Sequence, residues 1–325
     1  MTAFDGLVGD IGGTHARFAL ADVTRGRPVL SEPKTFANKD YPSVESAIEA
    51  YLAQVDGGHV PVRAVLAVAG PVADGAADFT NSDWEVSETK LRRDGGFKAA
   101  RLINDFAAQA LGAPRVSVER LARIGPDAPG VEGCPIAVMG PGTGFGLAGL
   151  LNDAGHDIVL STEGGHAGFA PVDEVEVEIW RRFALRHGRV SVERILCGQG
   201  LYELYVALAD IEGAPALLAD ERQVQAAAGV AGDPLAARAV ERFCQILGSV
   251  AGDITLTLGA RGGVYITGGV AQRLADAMVS GGFRERFEAK GRFRDYLAEV
   301  PTYLILEPYT ALIGAASVLS SLETV

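Results

Sequence analysis

Basic residues are in deficit, with 29 Lys and Arg against 41 Asp and Glu and a formal net charge of −12. Nucleic acid and anionic membrane both select for basic patches, so neither is an expected partner. Cysteine is scarce. Cys134, Cys197 and Cys244 are odd in number and far apart, which excludes a disulfide framework or a short-spaced zinc site. They fit reduced, mostly buried thiols in a cytoplasmic protein. No run of about 18 apolar residues occurs, so no membrane-spanning helix is expected. No basic-then-apolar leader opens the chain, which also predicts a cytoplasmic location. The acidity is spread along the chain and says nothing positive about a ligand.

What is present is apolar material and glycine. The 325 residues are 48% hydrophobic and include 41 glycines, enough for two cores and many tight turns. Residues 7–21 read as two strands joined at Gly12, Gly13 and Thr14, with Asp10 at the end of the first. Glycine permits the positive φ that such a turn is expected to need, and it keeps Cβ atoms away from the backbone amides. Amides converging on one concavity make an anion nest, to which the Thr14 hydroxyl adds a donor. A carboxylate beside a phosphate nest is repulsive unless a cation lies between them. Asp10 therefore suggests Mg²⁺, which prefers few carboxylates with waters and phosphate oxygens. Alone, this stretch is equally an ordinary hairpin.

Residues 138–151 repeat the plan of apolar strand, Gly/Thr turn and apolar strand. Setting Val8 on Val138 brings Gly12, Gly13 and Thr14 onto Gly142, Thr143 and Gly144, with Gly140 in place of the acid. Two such hairpins suggest a duplicated domain that holds one nucleotide from both sides. The formal Gly144-x-Gly146-x-x-Gly149 match to a dinucleotide fingerprint is discounted, because Leu147–Leu151 reads as strand where that fingerprint needs a helix.

Further along, Ala64–Ala69 and Ala100–Ile103 read as buried strands. Asn104 and Asp105 stand at the end of the second, before a helix over Phe106–Leu111. Asp105 suits a helix N-cap, and equally a base that accepts a hydroxyl proton while Asn104 holds the substrate. Thr80-Asn81-Ser82-Asp83-Trp84 reads as a polar turn with one anchoring Trp. In Glu163-Gly164-Gly165-His166, a carboxylate suits a polyol because it accepts from two adjacent hydroxyls. A glycine loop with incidental polar residues fits the string as well. Asp173 with Glu176 forms a capping box, and Ser191 caps a short helix bearing Glu193. Helices are expected over Leu201–Leu208 and over the stretch from Asp233-Pro234 to Leu258. The charges of 287–293 read as a solvated face.

The paired turns resemble the phosphate loops of the actin, hexokinase and heat-shock chaperone superfamily. The wording Gly9-Asp10-Ile11-Gly12-Gly13-Thr14-x-Ala16-Arg17 resembles the non-ROK bacterial glucokinases, and the likeness spans essentially the whole chain. It implies an α/β protein of two ribonuclease-H-like domains with a nucleotide and sugar cleft between them. The smaller domain would take 1–113 and 307–325, and the larger 114–306. It also implies ATP-dependent phosphorylation of glucose at the 6-hydroxyl, giving glucose 6-phosphate and ADP at the start of glycolysis.

On that resemblance Asp105 becomes the catalytic base, with Asn104, Glu163, His166, Glu193, Thr80 and Asn81 contacting sugar. Gly9 through Thr14, Gly142, Thr143, Gly144, Gly268 and Gly269 contact ATP, and Asp10 holds Mg²⁺ through water. A homodimer is implied in the same way. His15 departs from the family pattern, which more often has Asn. No Walker-type Gly-x-x-x-x-Gly-Lys-Ser/Thr string occurs, which removes the commonest competing kinase design. A ROK-type or broader hexose kinase is the nearest rival, but it carries a Cys/His zinc motif that these cysteines cannot form. A non-catalytic actin- or chaperone-like protein would need no polyol site. Asn104-Asp105 and Glu163-x-x-His166 discriminate against it.

Overall fold

The computed structural model describes residues 4–24, 27–55, 61–78, 84–229 and 232–322. Thirteen strands are described: β1 Gly6–Ile11, β2 His15–Asp22, β3 Val29–Ala37, β4 Arg63–Val68, β5 Ala76–Asp78, β6 Glu85–Ser87, β7 Ala99–Asn104, β8 Leu121–Arg123, β9 Ile136–Pro141, β10 Phe145–Asp153, β11 His156–Thr162, β12 Gly263–Ile266 and β13 Thr302–Ile305. The chain divides into two compact units, Met1–Ser117 with Glu307–Val325, and Val118–Leu306.

The first unit holds a five-stranded sheet in the order β3-β2-β1-β4-β7. β1, β2 and β3 pair antiparallel, whereas β1, β4 and β7 run parallel. The second unit holds the order β11-β10-β9-β12-β13-β8. Its first five strands repeat the pattern, with β9, β10 and β11 antiparallel and β9, β12 and β13 parallel. Only β8, antiparallel on the far edge, has no counterpart. This is the ribonuclease-H-like arrangement made twice, and β1–β2 and β9–β10 are equivalent hairpins.

Parallel strands need their crossovers covered on the sheet faces, and the sequence supplies apolar helices for this. In the first unit, helix Val44–Leu52 starts at Ser43, whose hydroxyl accepts from the Ser46 amide. It buries Val44, Ala47, Ile48 and Tyr51 against Leu7, Phe18, Phe36 and Leu66. The opposite face of β1 and β4, with Val8 and Val65, is covered by helix Thr310–Leu319 through Leu312, Ala315, Ala316 and Leu319. That helix crosses Asp105–Gly112 very closely. A Cβ on Gly314 would stand 1.8 Å from the Ala108 carbonyl oxygen, and one on Gly112 would stand 2.1 Å from that of Thr310.

In the second unit the 25-residue helix Pro234–Leu258 carries the core, burying Val240, Phe243, Leu247 and Val250. Asp173 caps Glu174–His187 by accepting from the Glu176 amide at 2.8 Å. The capping box is displaced: the Glu176 carboxylate takes the Val172 amide at 3.0 Å. Its other oxygen is buried against Arg242 and Arg286, which ties three helices together. The 287–293 stretch is a solvated face only in part, at Ala289 and Gly291–Phe293. Phe287 is fully buried, and Lys290, with its side chain 11% exposed, reaches Asp253 at 2.6 Å. The apolar lysine stem lies over Gly252 of the long helix, which is why the charge could be drawn inward. The three cysteines are free, with Cys197 and Cys244 buried.

Gly314→Ala inserts a methyl where a carbonyl already stands. Overpacking of this kind costs about 1–3 kcal/mol. The variant is expected to melt several degrees below wild type, and an unchanged Tm would mean that the two helices separate freely.

Candidate functional site

The two hairpin turns are three residues long and closed in different ways. In the first, the Gly12 amide donates to the His15 carbonyl at 3.0 Å. Asn38 clamps it from outside: its side-chain amide donates to the Gly12 carbonyl at 2.8 Å, and its backbone amide to Thr14 at 3.0 Å. In the second, the Gly142 amide donates to the Gly144 carbonyl at 2.8 Å. The Gly142 carbonyl accepts from the Gly198 amide at 3.0 Å. The amides of Gly12 and Gly142 are therefore spent within the turns. Gly13, Thr14, Thr143 and Gly144 supply the amides left for an anion.

The turn glycines have a different cause from the one expected. None of Gly12, Gly13, Gly142 and Gly144 takes a positive φ. At Gly144 the reason is space, since a Cβ would meet a Glu193 carboxylate oxygen at 2.4 Å. At Gly140, the counterpart of Asp10, a Cβ would lie 1.9 Å from the Thr267 carbonyl oxygen. Gly268, with φ +94°, closes the other side of that contact, its own Cβ position 2.4 Å from the Pro141 carbonyl. Gly269 begins the following short helix.

Asp10 lies opposite Arg17 in the β1–β2 register, and the guanidinium reaches its carboxylate at 2.9 Å. Burial pushes the Asp10 carboxyl above the usual carboxylate range, and Arg17 opposes the shift without cancelling it. A nearby cation would relieve that cost. No cluster of three or more His, Cys, Asp or Glu suited to a metal occurs among the described residues. The residues fit a Mg²⁺ that arrives with phosphate oxygens and water, with one carboxylate beside it, and do not form an all-protein cage.

At the end of β7 the side chains divide their work unexpectedly. The helix is Asp105–Gly112, and its N-cap is Asn104, not Asp105. The Asn104 carbonyl oxygen accepts from the amides of Phe106 at 2.9 Å and Ala107 at 3.1 Å. Its amide group donates to the Gly70 carbonyl at 3.0 Å, which fastens the loop after β4 to the end of β7. One Asn104 N–H remains for a ligand. Asp105, partly exposed, has one carboxylate oxygen 2.8 Å from the Phe106 amide.

The Glu163–Gly168 loop is laced to the segment before Glu193. The Phe169 amide donates to Val190, the Val192 amide to Ala167, and Gly168 bridges Ser191. Gly165 presses on β10, where a Cβ would be 2.1 Å from the Phe145 carbonyl oxygen. This lacing brings His166 beside Glu193, with Nδ1 3.9 Å from a carboxylate oxygen. Glu163 and His166 are exposed, Glu193 half-buried. The other Glu193 oxygen accepts the Phe145 amide at 2.9 Å. Ser191 caps the Glu193 helix at 3.3 Å. Trp84 is the expected anchor, its indole donating to the Tyr41 carbonyl at 3.0 Å. Thr80 and Asn81 lie outside the described residues. Asn38 was missed, because its partners are distant in the chain and an Asn between Ala and Lys carries no local signal.

Two α/β units of one topology, with a glycine turn at the head of each first hairpin, define the two-domain sugar kinases. The glucokinase family model matches residues 7–322, and the chain belongs to the glucokinase family. It is 53% identical over 311 residues to a glucokinase of Caulobacter sp. (strain K31), spanning 96% of this chain and 94% of that one. Against a glucokinase of Chromohalobacter salexigens it is 46% identical over 317 residues, 98% of each chain. The crystal structure of a glucokinase from an Antarctic psychrotroph superposes with a TM-score of 0.87 at 38% identity, covering 98% of this chain and all of that one. The fold extends to a ROK family glucokinase of Streptomyces griseus, solved with glucose and AMPPNP, at TM-score 0.65 and 20% identity.

Capping by Asn104 has a measurable consequence. Asn104→Ala is expected to cost about 1 kcal/mol in stability, the usual loss for an N-cap. Asp105→Ala should cost less, because the Phe106 amide that its carboxylate accepts is also held by Asn104. Equal losses by thermal unfolding would return the cap to Asp105.

Proposed function

We propose that this chain transfers the γ-phosphoryl group of ATP to the 6-hydroxyl of glucose, yielding glucose 6-phosphate and ADP. The observation that carries the mechanism is the division of labour at the end of β7. Asn104 is the N-cap of the helix, and the partly exposed Asp105 carboxylate, one oxygen of which accepts the Phe106 amide at 2.8 Å, stands beside it at the strand end as the group that takes the hydroxyl proton. Glu163, His166 and Glu193 partner the remaining sugar hydroxyls, and the same role is proposed for Asn104, Thr80 and Asn81.

The free amides of Gly13, Thr14, Thr143 and Gly144, with the Thr14 and Thr143 hydroxyls, neutralise phosphate charge. Gly9 through Gly12 and Gly142 shape the turns, and Gly268 and Gly269 allow close approach of the adenosine. Asp10 would hold Mg²⁺ through water, and the ion would supply positive charge to offset that of the phosphates. Little covalent work remains to the protein, so catalysis is positioning and electrostatics.

The reading places the chain with the non-ROK bacterial glucokinases of the actin, hexokinase and chaperone superfamily, as a cytoplasmic homodimer. The absence of a ROK-type Cys/His cluster in the sequence supports the distinction. The expected domain division, 1–113 with 307–325 and 114–306, assigns Asp10, Thr80, Asn81, Asn104 and Asp105 to one domain and Glu163, His166 and Glu193 to the other.

Asp105→Asn removes the proton acceptor while keeping the shape. Turnover is expected to fall by about 10²–10⁴-fold, with Tm and glucose affinity nearly unmoved. Near-normal kcat in a coupled ATP assay would remove Asp105 from the mechanism. In the same assay, run across a panel of hexoses, glucose should give the highest kcat/KM. Thr143→Val should raise the ATP KM and leave glucose affinity without nucleotide unchanged. Equal damage to both ligands would make the second turn purely structural.

A further inference from the structure

Glu193 touches two things that the proposed function keeps apart. One carboxylate oxygen accepts the Phe145 amide at 2.9 Å and fills the space over Gly144, where a Cβ would meet it at 2.4 Å. It thereby fixes the last residue of the second glycine turn and the first of β10. The other oxygen stands 3.9 Å from His166 Nδ1, too far for a hydrogen bond. A single hydroxyl oxygen between them could lie at hydrogen-bond distance from both. The carboxylate belongs to the four-residue helix Val192–Ile195, capped by Ser191 and laced to the His166 loop, so its backbone is anchored. The side chain remains 32% exposed, and three torsions stand between the anchored backbone and the carboxylate.

We infer that Glu193 couples the two ligands: a sugar hydroxyl seated between Glu193 and His166 locks the carboxylate, which in turn holds the Gly144–Phe145 backbone in the form that receives the nucleotide phosphates. The inference rests on the sugar-binding role proposed for Glu193. It adds a positioning role, in which one side chain serves both substrates. Without sugar the Phe145 amide alone engages the carboxylate, so its rotation away, which loosens the turn, costs a single hydrogen bond. With sugar bound, both oxygens are engaged and the turn is set. A ligand can shift such an equilibrium only by its differential affinity for the two states, and reciprocity requires nucleotide to favour sugar equally.

The experiment measures AMPPNP binding by calorimetry with and without saturating glucose, and glucose binding with and without AMPPNP. In the wild type each ligand should tighten the other by about fivefold or more, within the usual range for coupled sites. Glu193→Gln keeps the size but, with its oxygen on the Phe145 amide, turns towards His166 an NH₂ group that donates to a hydroxyl and cannot accept its proton. Its coupling factor should fall towards one while both ligands still bind singly.

Gly144→Ala approaches from the other side. Its methyl displaces the carboxylate from within the nucleotide turn, so glucose affinity should fall several-fold with no nucleotide present, the fold intact by circular dichroism. Glucose affinity unchanged by Glu193→Gln would sink the sugar-ligand role itself. Weakened glucose binding with a coupling factor equal to wild type would overturn the inference and leave that role standing. Wild-type binding without coupling, or normal glucose affinity in Gly144→Ala, would overturn it as well.

Discussion

Parallel pairing fixes where chemistry can happen in this chain. β1, β4 and β7 run the same way, with Ile11 beside Val68 and Val68 beside Asn104. Their carboxyl ends therefore open on one edge of the sheet. Asp10 precedes the first of those positions by one residue, and Asp105 follows the last by one. Two strand spacings amount to about 10 Å. Asp10, Asn104 and Asp105 stand at that edge because the register sets them there. In the second unit β9 and β12 repeat the constraint, with Met139 beside Ile266, and Gly140 and Thr267 follow at the edge.

The edge must also be held still, and the polar residues at the strand ends do this. Asn104 joins three backbone segments, the Gly70 loop, the end of β7 and the helix start, through one amide side chain. Asn38 holds the first turn at both ends, its side-chain amide on the Gly12 carbonyl and its backbone amide on that of Thr14. Both positions spend hydrogen bonds that a substrate could otherwise take. This is consistent with a site whose catalytic effect comes from preorganisation, since groups already oriented do not reorganise during reaction. Asp10 shows the accompanying cost. It is buried enough that its charge is disfavoured and only partly relieved by Arg17.

Much of this was legible in the sequence. The apolar runs gave the central strands, and Ser43, Asp173, Ser191 and Asp233 cap helices where local chemistry predicts. The correspondence of Gly12–Thr14 with Gly142–Gly144 matches the three-residue turns between β1 and β2 and between β9 and β10. The errors share one physical origin, in that they concern partners remote in the chain. Glycines in the turns suggested left-handed backbone, whereas Gly144 is small because Glu193 lies over it. Asp105 matched the capping preference as well as Asn104 does, and only the backbone path decides between neighbours. Lys290 looked solvated because Asp253 is many residues away.

The two hairpins also explain how a duplicated fold can become asymmetric. In the first copy the residue two before the turn is Asp10, a carboxylate facing Arg17 across the ladder. In the second it is Gly140, and the carbonyl of Thr267 lies so close that no side chain can return there. Gly268 closes on the same contact from the other side, with a positive φ that holds a larger residue out. The second turn therefore cannot regain an acid by point mutation, and a cation-supporting role stays with the first. In its place the second turn has a carboxylate from elsewhere, Glu193, which accepts a backbone amide. One copy thus carries an acid in its own strand, and the other borrows one from a distant helix to hold the backbone beside its turn.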